Sequence, residues 1–207
     1  MSPALTGAIL LRLAGPLPAS GELQKVLQKL AADCVPAAES VAAHAAAEGS
    51  EACAYLFSRE TGAINVAVLA RALERARSLP LFKGMQVAAA RLHPLFDAPG
   101  ASRGETPLFH YVVETDVAPE HEADLNAWYD KEHMPGLAAC PGSVRARRFR
   151  NPDGSPRHHA CYDLARADVL ESKPWLAVRN TAWSERVRPH FRNTRRTMFR
   201  RLFQIAL

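Results

Sequence analysis

The sequence lacks most of the short motifs that would assign a chemistry directly. Its four cysteines lie far apart and form no Cys-x-x-Cys pair, which argues against a zinc site, a redox motif and a disulfide scaffold. It contains no Gly-rich phosphate loop, no Gly-x-Ser-x-Gly motif and no His-x-His or His-x-x-x-His pair. We therefore expect neither nucleotide hydrolysis nor serine-hydrolase chemistry, and no bound metal.

Long hydrophobic runs are also lacking. The apolar run at residues 7–13 contains Arg12 and is too short to cross a membrane, and no basic region precedes it as in a signal peptide. Of the 207 residues, 48% are hydrophobic and 23% charged, which is typical of globular proteins. We expect a soluble, cytoplasmic protein without a membrane partner.

The positive charge is concentrated near the C-terminus. Residues 143–207 hold 15 Lys and Arg against 5 Asp and Glu, and 14 of those 15 are Arg. Arginine favours planar, bidentate contacts with carboxylate or phosphate groups. A run of seven Arg at residues 186–201 is interleaved with Phe191 and Phe199. Contacts with nucleic acid would use such a run, but so would ion pairs with an acidic helix at residues 120–132.

The pattern of elements predicts a linker near the midpoint, followed by one βαββαβ unit. Residues 97–107 are rich in Pro, Gly and Ser and have no apolar period. After them, a helix begins at residues 118–120 and stops or kinks at Pro135. A second helix is predicted at residues 167–180. The predicted strands are residues 108–117, 143–150, 157–165 and 193–205.

The first half repeats this order less distinctly, with strands at residues 7–14, 52–59 and 85–96 and helices at residues 21–34 and 66–78. Residues 39–48 occupy the position of the second strand, although their alanines favour a helix, so both assignments stay open. Short echoes, such as Ala52-Cys53-Ala54-Tyr55 and Ala160-Cys161-Tyr162, support a duplication.

We therefore predict an α+β fold of two tandem ferredoxin-like repeats that together form a dimeric-type α+β barrel within one chain. The predicted domains are residues 1–97, a degenerate repeat, and residues 108–207, the better preserved repeat. Residues 98–107 are the linker.

The most distinctive segment for chemistry is residues 126–142. Tyr129 and His133 are four residues apart and share a helix face. An imidazole beside a phenol at an irregular helix end is suited to general acid or base catalysis, because its pKa lies near neutrality. The alternative is a structural role in which His133 packs against the adjoining strand.

This segment also carries a family resemblance. The pattern Trp128-Tyr129-x-x-Glu132-His133-Met134-Pro135, followed by Pro141-Gly142 and a basic strand at residues 145–149, resembles the EthD-like branch of the dimeric α+β barrel superfamily. The resemblance implies ferredoxin-like units that pair face to face, as in many small bacterial proteins. It also implies a cofactor-free oxygenase, a lactone isomerase or a haem-binding enzyme. His133 and Pro135 match the His-x-Pro feature of that family.

Around the implied cavity we expect further ligand-binding side chains. They are Trp128 on the helix and four polar residues on the strands, namely His110, Arg145, Arg147 and His159. Together with Tyr129 and His133 they would suit a small aromatic or keto acid. Taken singly, each of these arginines is better suited to an ion pair with a nearby acid (Glu114, Asp116 or Asp163). His133 and His159 are also of the residue type that ligates haem iron, but no other feature of the sequence supports a cofactor.

Two hypotheses of function follow. In the first, the protein binds a small anionic or aromatic compound as a cofactor-independent, oxygenase-like or isomerase-like enzyme. His133 and Tyr129 are then catalytic, and Arg145 or Arg147 holds the anion. In the second, it is a binding module without catalysis that uses its Arg-rich end for a nucleic acid or a protein. Nucleic acid is the less favoured partner, since the central strands lack the aromatic pattern of RNA-recognition modules. A homo-oligomer is compatible with either hypothesis.

Overall fold

The structure is a computed structural model that describes residues 5–47, 50–60 and 62–207. It divides into two compact units. Within the described residues, the N-terminal unit comprises residues 5–94, Asn151–Asp153 and Phe199–Leu207, and the C-terminal unit comprises Leu95–Arg150 and Gly154–Met198. The first four residues of the predicted first domain lie outside the described residues.

The elements follow one another in a mixed α+β order. The strands are β1 (Gly7–Ala14), β2 (Ala38–Ala46), β3 (Glu51–Ser58), β4 (Gln86–Pro99), β5 (Phe109–Asp116), β6 (Ser143–Arg150), β7 (His158–Leu164) and β8 (Arg192–Ala206). The α-helices are α1 (Ser20–Cys34), α2 (Val66–Arg77), α3 (Pro119–Trp128), α4 (Met134–Ala138), α5 (Lys173–Arg179) and α6 (Ala182–Val187). No helix of the described ranges is both long enough and apolar enough to cross a membrane.

In the N-terminal unit, the sheet has the order β4-β1-β3-β2-β8, and neighbouring strands pair antiparallel. Alternate residues of β1 (Ile9, Leu11 and Leu13) face the core, as the two-residue period of a strand requires. They pack against apolar residues of α1 at helical spacing, Leu23, Leu27 and Leu30, all of which are buried.

In the C-terminal unit, the sheet has the order β8-β5-β7-β6-β4, and β7 pairs antiparallel with both β5 and β6. One face carries Tyr111, Ala146, Ala160, Tyr162 and Leu164, which pack with the helices in a second core. This packing positions α3 and α4 over the face of the sheet that bears the tyrosines.

Residues 39–48, left open between strand and helix, form strand β2 up to Ala46. Residue 48 lies outside the described residues. Strand β2 is hydrogen bonded on both sides, to β3 and to β8, and Val41 and Ala43 are fully buried. These tertiary contacts outweigh the helix propensity of the alanines.

The segment after β7 differs from the single helix predicted at residues 167–180. A 3₁₀ turn (Ala167–Glu171) is followed by α5, and the hydroxyl of Ser172 caps α5 by accepting a hydrogen bond from the amide of Trp175. A further helix, α6, was not predicted. It begins after Thr181, whose hydroxyl accepts a hydrogen bond from the amide of Ser184. Apolar periodicity is a weak signal in helices of six or seven residues.

The segment predicted as a linker is held firmly in the C-terminal unit. Residues 98–99 belong to β4, and the turns that follow bond to the neighbouring backbone. The amides of Gly100, Ala101 and Ser102 donate to the carbonyls of Val144, Ala138 and Ser143, each at 2.8 Å. A Cβ atom on Gly100 would lie 2.0 Å from the carbonyl oxygen of Ser143.

We predict that Gly100→Ala lowers the free energy of unfolding by about 2 kcal/mol or more, because the backbone of β6 must move to admit the methyl group. Gly104→Ala is the matched control, since a Cβ atom there meets nothing within 4 Å. It should change stability by less than about 0.5 kcal/mol. Urea denaturation of both variants measures the difference, and equal stabilities would contradict the close approach at Gly100.

Candidate functional site

The helix that carries the sequence motif does not stop at Pro135. Tyr129–His133 form a wide π-helical turn between α3 and α4, and the helix continues to Ala138. The amide of Met134 bonds to the carbonyl of Tyr129, five residues earlier. Proline has no amide hydrogen and clashes with a regular preceding turn, so the widened turn lets the helix pass Pro135 unbroken.

A buried arginine lies beneath this turn. The guanidinium carbon of Arg148, on β6, is 4.5 Å from the centre of the Tyr129 ring, a cation–π contact. Its nitrogens donate to Asp130 Oδ1 at 3.2 Å, to the side-chain oxygen of Asn126 and to His158 Nδ1 at 3.2 Å. Arg148 thus ties three positions on one face of the helix to the sheet and holds the ring of Tyr129 in place.

A cavity lies between the wide turn and the sheet, wholly within the C-terminal unit. It has a volume of about 50 Å³ for the centre of a water molecule, room for roughly three to five waters. Its walls are mainly aromatic, with three arginines and one histidine. The lining residues are Tyr111, Val113, Trp128, Tyr129, His133, Leu137, Tyr162, Trp175, Arg179, Arg188, Phe191 and Arg196.

His133 presents an unpaired polar atom in the wall of the cavity. Its Nδ1 is buried and has no hydrogen-bond partner in the part of the chain that the structure describes. The imidazole stacks on Trp128 with 4.0 Å between ring centres, and the Tyr129 ring meets it edge-on at 5.7 Å. Burial, reinforced by the charges of Arg188 and Arg179, lowers the pKa of His133 to about 3. The ring is therefore neutral at pH 7, with a nitrogen available to a ligand.

The phenols of the cavity keep their protons. Burial raises the pKa of Tyr129 to about 12, against a smaller opposing effect of the Arg148 charge. Burial also raises the pKa of Tyr162, whose hydroxyl donates to Met134 Sδ at 3.2 Å. Both side chains are neutral at pH 7, so the aromatic walls carry no negative charge.

Three arginines give the cavity its charge. Arg188 is half-buried and donates to the carbonyl of Arg179 at 3.2 Å, while Arg179 and Arg196 are exposed. None of the three pairs with a carboxylate within 4 Å among the described residues. Burial, together with the charges of Arg179 and Arg196, lowers the pKa of Arg188. In contrast, Arg186 of the same Arg-rich run pairs with Asp124 of α3 at 3.0 Å.

Of the predicted site residues, the structure brings Trp128, Tyr129 and His133 to the cavity. It places the other four elsewhere. Because Tyr111 and Val113 face the helices, their neighbours His110 and Glu114 face the other side of the sheet. There Asp163 bonds to His110 Nδ1 at 2.8 Å and to Arg147 at 3.2 Å.

The remaining two predicted ligand-binding residues are also paired with acids. Nε of Arg145 donates to Asp97 at 2.8 Å, and His159 Nδ1 lies 3.3 Å from Glu114. The expectation that these four side chains line one cavity with His133 does not match the geometry. The arginines that do line it, Arg179, Arg188 and Arg196, were not singled out from the sequence. The excess of Arg after residue 143 indicates that arginines are available in this region. Their positions depend on helix α6, which the sequence pattern does not predict.

The cavity carries no cluster of metal-ligating side chains. Among the described residues there is no group of three or more His, Cys, Asp or Glu that could hold a metal ion. Of the two histidines considered as haem ligands, His133 stacks on Trp128 in the cavity. His159 is buried, with its Nδ1 3.3 Å from Glu114.

Comparison with known proteins shows a shared fold. No family model and no curated protein matches the chain. Among solved structures, a candidate monooxygenase from Lactobacillus acidophilus NCFM is 13% identical, with a TM-score of 0.63 over 98% of this chain and 99% of that one. An anthrone oxidase-like protein is 14% identical, with a TM-score of 0.59 over 97% and 93%. A mutant chlorite dismutase from Candidatus Nitrospira defluvii is 8% identical, with a TM-score of 0.62 over 96% and 92%.

These neighbours belong to the dimeric α+β barrel superfamily, and the likeness confirms the predicted α+β class of fold. At such low identity it concerns the fold alone. The EthD-like branch stays a prediction.

The pKa of His133 leads to a prediction about acid stability. Since the unfolded chain binds a proton near pH 6.5 and the folded chain does so only near pH 3, stability falls as the pH falls through this window. Between pH 7 and pH 5, His133 should account for a loss of about 2 kcal/mol. Urea denaturation of His133→Gln should show a correspondingly smaller loss.

His158, whose pKa burial lowers to about 4, acts in the same direction. Because His158 is present in the unsubstituted protein and in the His133→Gln variant, the difference between their stabilities reports on His133. Parallel losses of stability in the two proteins would contradict a neutral, desolvated His133.

Proposed function

We propose that the protein is an oxygenase-like enzyme that acts on a small anionic aromatic compound in the cavity of the C-terminal unit. One observation carries the proposal. Within the described part of the chain, the neutral His133 has an unpartnered nitrogen, and it lies in an aromatic cavity whose charged lining residues are three arginines without an ion pair to an acid. The proposal retains the predicted roles of His133 and Tyr129 and transfers the anion-holding role from Arg145 and Arg147 to Arg179, Arg188 and Arg196.

The chemistry assigned to His133 is that of a general base. Its free nitrogen accepts a proton from an acidic C–H or O–H group of the substrate. The arginines stabilise the enolate or phenolate that forms, as oriented positive groups do in a site with little water. Burial is the main cause of the low pKa of His133, and the charges of Arg188 and Arg179 add to it. A bound anion offsets those charges, so the ring becomes a stronger base when the substrate is present. Tyr129, which stays protonated, can donate a hydrogen bond to the same anion.

Dioxygen would then react with the electron-rich anion. For a methylene compound such as anthrone, the carbon loses two hydrogens and four electrons to O₂. One oxygen atom enters the new ketone and the other leaves as water. The solved relatives include candidate monooxygenases and an anthrone oxidase-like protein, which supports this class of reaction without identifying the substrate.

The proposal includes the EthD-like branch and a duplication of a ferredoxin-like unit. In each unit, helices connect the first strand to the second and the third strand to the fourth, and the sheet orders are β4-β1-β3-β2 and β8-β5-β7-β6. These orders correspond position by position, which supports two tandem repeats. Helix α1 runs through Ser20–Cys34 as a regular α-helix, so only the second repeat has the wide turn with its histidine among the described residues.

We predict that the protein accelerates the aerobic oxidation of anthrone, measured with an oxygen electrode and by the absorbance of the quinone. His133→Gln should reduce the rate at least 100-fold, because a positioned general base contributes about that much or more. The matched control is His93→Gln, since His93 on β4 lies outside the cavity. Full activity of His133→Gln, with O₂ still consumed, would contradict the assignment of His133.

Binding provides a second prediction. Because Trp128 and Trp175 line the cavity, 2-naphthoate should quench the intrinsic fluorescence, and the neutral 2-naphthamide should bind at least tenfold more weakly. Arg188→Gln should weaken the binding of 2-naphthoate. Arg186→Gln, which removes an arginine paired with Asp124 outside the cavity, should leave it unchanged. Equal affinities for the anion and the amide would contradict an anionic ligand.

A further inference from the structure

We infer that the ligand of this cavity is a dianion, an aromatic body that carries two negative charges on one head group, as in an aryl phosphate or an aromatic dicarboxylate. The inference rests on the proposed function, and it specifies the class of compound that the site takes.

The cavity carries an excess of positive charge. The twelve residues that line the cavity include three arginines and no acid, and the histidine and the tyrosines are neutral at pH 7. Among the described residues, Glu185 is the carboxylate whose charge acts on Arg188, and the two form no ion pair within 4 Å. Three positive charges against one distant negative charge leave about two to be neutralised, so a monoanion would leave the site positively charged.

Separate parts of the chain bring their arginines to this cavity. The three arginines come from three parts of the C-terminal unit, namely the end of α5, the turn after α6 and strand β8. The charges of all three act on the hydroxyl of Tyr111, and those of Arg179 and Arg196 act on Arg188. All three line the same cavity, close enough for their charges to interact. Like charges gathered in one cavity repel each other, and a ligand with two negative charges relieves that repulsion.

The exposure of the lining residues indicates how the ligand is oriented in the cavity. Arg179 and Arg196 are exposed, whereas Trp128, Tyr129 and Tyr162 are at most 2% exposed. The charged head group would thus lie at the mouth, where guanidinium groups can bind it with paired hydrogen bonds. The aromatic body would lie inside against the rings, with its acidic position toward His133.

Two esters of one shape test the charge directly. The head groups of 2-naphthyl phosphate and 2-naphthyl sulfate are both tetrahedral, but at pH 8 the phosphate carries nearly two charges and the sulfate one. We predict that the phosphate binds at least tenfold more tightly at pH 8, measured by tryptophan fluorescence and by calorimetry. At pH 5 the phosphate carries close to one charge, while His133 is still neutral in the free protein, so the two affinities should approach each other. Naphthalene-2,3-dicarboxylate at pH 8 is the second dianion and tests whether the preference is for charge or for phosphate.

Substitutions of single arginines test which side chains cause the preference for the phosphate ester. Arg196→Gln, an exposed substitution that should fold normally, and Arg188→Gln should each reduce the preference for the phosphate at pH 8. Arg186→Gln should retain it. Equal binding of phosphate and sulfate at pH 8 would overturn the inference, and so would a preference that survives both cavity variants. If 2-naphthoate also binds and His133→Gln abolishes the oxidation of anthrone, the proposed function stands and only the double charge of the ligand is wrong.

Discussion

The candidate site depends on one local constraint, the wide helical turn that carries the chain from Trp128 past Pro135. A regular helix would require from the proline an amide hydrogen that it does not have, and a helix that ended there would lose the packing of Met134 and Leu137 in the core. The bond from Met134 to the carbonyl of Tyr129 resolves the conflict. The extra residue in the turn brings Trp128, Tyr129 and His133 together at one wall of the cavity, and the buried guanidinium of Arg148 fixes the ring of Tyr129 from below.

The alternation of side chains along the strands then separates two kinds of polar group. Tyr111, Val113 and Tyr162 face the helices and form the aromatic wall, while His110, Glu114 and Asp163 face the other side and satisfy each other's charges. Because the acids lie on that other side, the cavity has none among its lining residues. This accounts for both the neutral state of His133 and the uncompensated positive charge at the mouth.

Much of the fold was predictable from the sequence, because periodicity and turn residues act locally. Strands β1 and β6 have the predicted bounds, and the shared face of Tyr129 and His133 follows from helical spacing. The rest depends on contacts between distant residues. Strand β2 forms because it is hydrogen bonded to β3 and to β8, although its alanines favour a helix. A period of two shows that His110 and Glu114 share a face but not which face the helices cover. Arg179, Arg188 and Arg196 reach the cavity only through the packing of short helices.

The central claim is that an aromatic anion occupies the cavity with its ring beside His133. A crystal structure of the protein with 2-naphthyl phosphate tests it most directly. The account predicts electron density for the rings between Trp128 and Tyr162, the phosphate bound to Arg188 and its neighbours, and Nδ1 or Nε2 of His133 facing the ring. Density for the compound outside this cavity, for instance against His110 and Asp163, with the cavity free of ligand, would contradict it.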